Sequence, residues 1–409
     1  MRAIWSAIIL ACWATAACAQ DSQDTLLARN GLTPSLLYSG DVATNLSGGA
    51  ARGTVYTGLL HAQLGADLDA GLGWPGASFF VDGMAVHGGN ISGLAGDVQR
   101  VSNIAAPPDL IVYEAWFQYN FFNAPVSMLV GRYDVNTEFD TLKSAKVFLN
   151  SSFGIEPEFS SSGMLGPSIY PDPSVGLRIA YKPAENVVIR FAALDGVPVD
   201  RPHHQWGLFE KGDGVLLVGE IAFLTRTQAS EPQTHANIGR LSNLPPYEDK
   251  IAIGGWTYTT SLDDLSQRDG FGAPVRRNGS GGVYLILDKA LYRGESDQKL
   301  SAFLQLGTGD DRVDRIGAYL GFGAVASGFV PGRASDEMGL GVAIARNGGH
   351  FKRQQAAPAA TETAIEFTYY APLTGWLALH PDIQYVIHPD TTSAVANALV
   401  FQLQFEISI

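Results

Sequence analysis

The chain has 409 residues, of which 46% are hydrophobic and only 16% charged, where an ordinary soluble domain carries about 25% charged residues. That balance, with 46 glycines, fits neither a helical membrane protein nor a charged cytosolic enzyme; it fits a sheet with one apolar and one polar face. A net charge of −13 argues against a nucleic-acid partner, because neutralising phosphate needs clustered Lys and Arg.

The first residues read as a cleaved secretory signal over 1–19. Arg2 supplies the positive start, Ala3 to Trp13 the apolar core, and Ala17-Cys18-Ala19 a small-residue cleavage site before Gln20. A lipoprotein would need an aliphatic residue three before Cys18, and Thr15 stands there. Both cysteines, Cys12 and Cys18, fall in this segment, so the mature chain is expected to hold no disulfide and no thiolate metal site. Residues 20–35 read as a periplasmic arm or short helix. No later run of 18 apolar residues exists to form a transmembrane helix.

From there the recurring unit is an alternating segment of about ten residues bounded by Gly, Pro, Asn or Asp. Such segments are predicted at 36–46, 54–69, 77–88, 110–122, 126–133, 174–183, 186–195 and 214–224, and then at 249–260, 281–289, 299–308, 315–325, 337–346, 363–371, 376–388 and 398–409. In 110–122, Ile111, Tyr113, Ala115, Phe117, Tyr119 and Phe121 share one face, opposite Glu114, Trp116, Gln118 and Asn120. In 174–183, Leu177, Ile179 and Tyr181 oppose Arg178; in 186–195, Ile189 and Phe191 oppose Arg190. In 398–409, Phe401, Leu403 and Phe405 oppose Gln402, Gln404 and Glu406. Side chains alternate along a strand, so one face would meet lipid and the other water. The expectation is an all-β fold, a single transmembrane antiparallel β-barrel of about 16 strands over 36–409.

Loop lengths give a second test. An even strand count puts both termini in the periplasm, with short turns there and longer loops outside. The turns 70–76, 123–125, 184–185, 290–298 and 372–375 are short, while 89–109, 134–173, 196–213, 261–280 and 347–362 are long. Residues 225–248 break the rule: they fall on the periplasmic side and read as a long loop.

Several stretches resemble the carbohydrate-selective outer-membrane porin family, the OprB-like porins. They are GLTPSLLYSGDVATNLSGG at 31–49, YTGLLHAQLGADLD at 56–69, GWPGASFF at 73–80 and YEAWFQYNFF at 113–122. Next come VGRYDVNTEFD at 130–140, VFLNSSFG at 147–154, VGLRIAYKP at 175–183 and AALDGVP at 192–198. EFTYYAPLTGWLALHPDIQYVIHPD at 366–390 looks like the family's penultimate hairpin. The resemblance spans nearly the whole mature chain and implies passive diffusion of mono- and small oligosaccharides through a restricted channel. One departure is that this chain ends in Ile409, where many outer-membrane barrels end in an aromatic residue.

A neutral sugar bristling with hydroxyls calls for bidentate hydrogen-bond partners and an aromatic surface at a constriction. Lumen-facing parity supplies His61, Gln63, Asp67, Glu114, Trp116, Gln118, Arg178, Arg190, Glu220, Gln305 and Gln384, with Arg132 of ambiguous parity. Glu114, Arg178 and Arg190 are expected to set opposed charges on the wall; the competing reading is plain lining of a wet channel. Segment 134–173 carries Asp134, Glu138, Asp140, Lys143, Lys146, Glu156 and Glu158. At roughly 40 residues it is longer than a surface tip needs, and it reads as a constriction folded inward or a lid over the mouth.

No cofactor and no metal are expected. His203-His204 and Asp310-Asp311-Asp314 lack ligand spacing, and neither G-x-S-x-G nor H-E-x-x-H occurs. The reading is therefore a sugar porin of a Gram-negative outer membrane. Its partners would be small carbohydrates, outer-membrane lipid and the barrel-assembly machinery, with a homo-oligomer open. The alternatives are a general diffusion porin, a barrel enzyme and a soluble periplasmic β-sheet binding protein.

Overall fold

The computed structural model describes residue 27 and residues 30–198, 209–226, 247–294, 297–355 and 358–409. The expected signal segment, most of the 20–35 arm and His203-His204 lie outside the described residues. Sixteen strands are described: β1 (Leu32–Ser47), β2 (Gly53–Asp67), β3 (Ala77–Gly88), β4 (Asp109–Asn120), β5 (Val126–Tyr133), β6 (Ser174–Ala184), β7 (Val187–Asp195) and β8 (Val215–Arg226). The second half has β9 (Tyr247–Arg268), β10 (Pro274–Arg293), β11 (Lys299–Gly309), β12 (Ile316–Ser327), β13 (Glu337–Asn347), β14 (Thr361–Pro372), β15 (Leu377–Ile387) and β16 (Ala398–Ser408).

Each strand pairs antiparallel with its sequence neighbours, and β1 closes the cylinder on β16. Closure matters because lipid offers no hydrogen bonds to an open edge. Leu37 stands opposite Ser408 and Thr44 opposite Phe401. The terminal Ile409 exchanges both backbone hydrogen bonds with Leu36 at 2.9 Å, so the backbone of the last residue helps make the seam. No described helix is long and apolar enough to cross a membrane; the chain crosses by strands.

The alternation falls as expected over most of the wall. Leu177, Ile179, Tyr181, Ile189, Phe191, Phe401 and Leu403 are exposed on the outside, while Arg178, Arg190, Gln402 and Gln404 are buried inside. On β4 the expectation fails. Asp82 pairs with Glu114 but Gly83 pairs with Val112, leaving Tyr113 as a β-bulge. One extra residue inverts every side chain before it. Ile111 and Tyr113 are therefore buried inside, and Leu110 is 74% exposed on the outer face.

Two boundaries also change. β1 begins at Leu32, directly after Gly31 at φ +73°, so 32–35 are strand rather than arm. The expected outer loop 261–280 is mostly hairpin, because β9 and β10 continue past the other strands to a turn at 269–273. Of the irregular periplasmic stretch, 225–226 and 247–248 belong to β8 and β9, and 227–246 lie outside the described residues.

Candidate functional site in the barrel lumen

Segment 134–173, between β5 and β6, runs inside the cylinder. Val135, Phe139, Leu142, Phe148, Phe153 and Phe159 are at most 3% exposed. Phe159 stacks on Trp256 of β9 with centroids 4.3 Å apart, and Phe153 meets Phe303 of β11 at 5.7 Å. The apolar side chains supply the drive, at about 25 cal/mol per Å² removed from water. The wall supplies the room: a Cβ at Gly341 of β13 would strike Phe148 and Phe153.

An irregular segment crossing a lumen leaves backbone N–H groups that no strand can satisfy, and each must find an acceptor. Wall carboxylates provide them. Glu114 on β4 accepts from Asp134 N at 3.0 Å, Glu220 on β8 from Asp140 N at 3.0 Å, and Asp288 on β10 from Ser144 N at 3.0 Å. Glu366 on β14 takes Leu149 N at 2.6 Å and Asn150 N at 3.0 Å. In the connection after β11, Asp314 takes Gly163 N at 3.1 Å.

Cations complete the fixation. Arg178 lies against Glu138 of the inward segment, Nε to Oε2 at 2.7 Å, and also donates to Ser127 Oγ and Gln118 Oε1 at 2.7 Å each. Arg190 sits 3.9 Å from Glu138 and 3.3 Å from Glu220. Lys250 of β9 reaches Glu220 at 3.3 Å and donates to Thr141 O at 2.9 Å. Burial pushes the Glu138 carboxyl up, but the Arg178 and Arg190 guanidiniums outweigh it and hold it below the ordinary carboxylate range. The expected grouping of Glu114 with Arg178 and Arg190 thus needs correction: Glu138 and Glu220 face the two arginines.

A second segment, 89–108 between β3 and β4, also enters. Ser102 donates to Asp41 of β1 at 2.9 Å, and Val101 O accepts from Gln384 and Gln402 at 2.7 Å each. Glu362 of β14 takes Val98 N and Gln99 N at 3.0 Å. The two segments meet where Ser151 N donates to Arg100 O at 2.9 Å.

The remaining candidates scatter. His61 and Gln63 both bond Asp82, at 2.9 and 2.8 Å. Trp116 stacks on Phe80 at 5.2 Å, its face covered. Gln305 donates to Phe153 O at 3.2 Å, and Gln384 accepts from Asn150 Nδ2 at 3.0 Å. Arg132 is buried, in register with Ala115 and Val175. Asp67 is misplaced as a lumen residue: it is exposed at the end of β2 and caps the short helix Leu68–Leu72 through Asp69 N, because it is the last residue of its strand.

The result is a closed sixteen-strand cylinder with two segments pinned inside its lumen. The model of the carbohydrate-selective porin, OprB family, matches residues 51–409. The chain belongs to that family. Porin B of Pseudomonas aeruginosa is 23% identical over 420 residues, covering 93% of this chain and 88% of the relative. The high-pH structure of Pseudomonas putida OprB superposes with a TM-score of 0.80 at 20% identity, covering 94% and 96% of the two chains. An anion-selective porin from Comamonas acidovorans reaches 0.52 at 13% identity, over 92% and 99%. The protein is a sugar porin of the Gram-negative outer membrane.

For an OprB-family porin, sequence parity missed the acceptors Asp288, Glu362 and Glu366, and Lys250. Their signal was available as acids and a lysine on the polar face of strands, but parity does not say what covers a face. It also passed over Arg100 and Asn103, exposed members of the inward segments like the already named Lys143 and Lys146; their neighbours Val101, Leu142, Ala145 and Val147 are buried.

Proposed function

We propose that segment 134–173 is the constriction of this porin, and that mono- and small oligosaccharides pass along its exposed edge beside Arg100, Asn103, Lys143 and Lys146. Arg178, Arg190, Glu114 and Glu220 hold that edge in place rather than touch the sugar. The observation that carries this reading is the row of wall carboxylates, Glu114, Glu220, Asp288 and Glu366, accepting the segment's N–H groups from four strands. Asn103 offers both donor and acceptor to hydroxyls, and the three cations donate to hydroxyl oxygens. The chain acts as a channel and not as a catalyst; its insertion would use the barrel-assembly machinery, and a homo-oligomer would pair outer faces such as that of Leu177, Ile179 and Phe191.

Swelling of liposomes in sugars of graded size tests the reading. A sharp fall in rate between a monosaccharide and a trisaccharide is expected, with a Lys143→Ala/Lys146→Ala variant altered in sugar rate. Equal rates across the series would instead make it a general diffusion porin.

A further inference from the structure

Inside the constriction segment three carboxyls gather where the chain turns back toward β6. Asp140, Glu156 and Glu158 are each 0% exposed. Asp140 accepts Glu156 N through Oδ2 at 2.9 Å. Its Oδ1, and all four carboxyl oxygens of Glu156 and Glu158, have no N–H or hydroxyl donor among the described residues. Both glutamates converge on one bare patch of wall, since a Cβ at Gly307 of β11 would overlap Glu158 Oε1 and Glu156 Oε2.

The wall groups facing this cluster are Glu220 of β8, Lys250 of β9, Tyr284 of β10 and Tyr319 of β12, and Glu366 of β14 acts on Tyr319 in turn. Lys250 is the cation among them, and it is engaged with Glu220 and Thr141 O. The Tyr319 hydroxyl is buried without an acceptor. Three ionised carboxylates could not sit so close with so little compensation, whereas a carboxyl that keeps its proton becomes a donor to its neighbour. Consistent with that, burial and then the Asp140 and Glu158 charges push Glu156 well above the ordinary carboxylate range, and burial raises Glu158 to about 7. Burial, with the Glu158 and Glu220 charges, also drives Asp140 well up.

We propose that Asp140, Glu156 and Glu158 are positioning residues that hold the constriction segment across the lumen by sharing protons, so that the bore widens when they ionise. The proposal rests on the reading of 134–173 as the constriction. A docked cluster with raised pKa values binds more protons than an undocked one. Docking is therefore strongest at low pH, and weakens as pH rises from the ordinary carboxylate range through the raised values.

The test is single-channel conductance of the full-length protein in planar bilayers at fixed high salt. Wild type is expected to rise about twofold between about pH 6 and about pH 9, a range that spares ordinary carboxyls and lysines. Glu156→Gln/Glu158→Gln is expected to stay at the narrow level throughout, because amides bond each other without a proton. A flat wild-type profile, or the same rise in the double variant, overturns the proposal. Should the double variant fail to insert, the wild-type profile and Asp140→Asn decide in its place. If about 1 mM Ca²⁺ returns the alkaline wild type to the narrow level, a metal-bridged cluster replaces the proton-shared one. Sugar-size discrimination measured at about pH 6 separates the two readings: its absence sinks the constriction, while a flat pH profile with discrimination intact sinks only the cluster.

Discussion

The two inward segments solve the same problem differently. Segment 134–173 brings its own core, four phenylalanines at most 3% exposed, and adds Glu138 and Glu156 inside that core. Segment 89–108 has no aromatic residue; it packs Ile91, Ala95 and Val101 against Ala43, Val386, Ala398 and Val400 and depends on polar contacts to Asp41, Glu362, Gln384 and Gln402. A long segment in a polar lumen must carry apolar drive, and each carboxyl it buries must meet a cation, as Glu138 does, or keep its proton. A short one can be held by the wall's hydrogen bonds.

The sharpest way to break this contrast is at the charge match. Arg178→Ala leaves the buried Glu138 with the Tyr133 hydroxyl at 2.6 Å and Arg190, at 3.9 Å, as its remaining cation among the described residues. Stranding one partner of a buried pair costs about 3–5 kcal/mol. Undocking of 134–173 is expected, seen as higher ion conductance together with lost discrimination between sugars of different size. If sugar flux falls while ion conductance holds, Arg178 is a direct sugar contact and the anchoring account fails.

Next comes the room made for the aromatics. Gly341→Val puts a side chain where Phe148 and Phe153 lie, an overpacking worth about 1–3 kcal/mol. The same change of conductance, smaller, should follow, with heat-modifiable gel migration of the barrel retained because the strand ladder is untouched. Unchanged conductance would mean that the phenylalanines have somewhere else to go.

The shorter segment should respond less. Glu362→Gln keeps the shape but weakens the bonds to Val98 N and Gln99 N, about 1 kcal/mol for loss of charge assistance. Limited proteolysis should then cut within 89–108 before 134–173. Cleavage in the reverse order would show that the polar contacts are the stronger hold.

How much of this was legible depends on range. Strand faces are local: Leu177, Arg178 and Ile179 declare their sides within three positions, and the sixteen strands follow from such triplets. The bulge at Tyr113 is invisible to a period-two reading, because Tyr fits either face and the slip is fixed by pairing with Asp82 and Gly83. Glu366 and Leu149 are 217 residues apart, so no spacing rule joins them. Parity placed Glu114, Glu220, Arg178 and Arg190 on the wet side, and there the segment they hold had already displaced the water.

The smallest effect should come from the exposed edge itself. Lys146→Ala removes a cation that is exposed between the buried Ala145 and Val147. Folding should be unchanged, within about 0.5 kcal/mol for a surface substitution. A sugar bonded by one exposed ammonium loses about 0.5–1.5 kcal/mol of contact, so swelling rates should shift by a few-fold at most. The shift should be larger for an anionic sugar acid than for a neutral hexose, because charge adds to the hydrogen bond for the former only. A variant whose sugar-acid and hexose rates change by the same factor would place Lys146 outside the path, and would move the sugar's route to the far side of the lumen along segment 89–108.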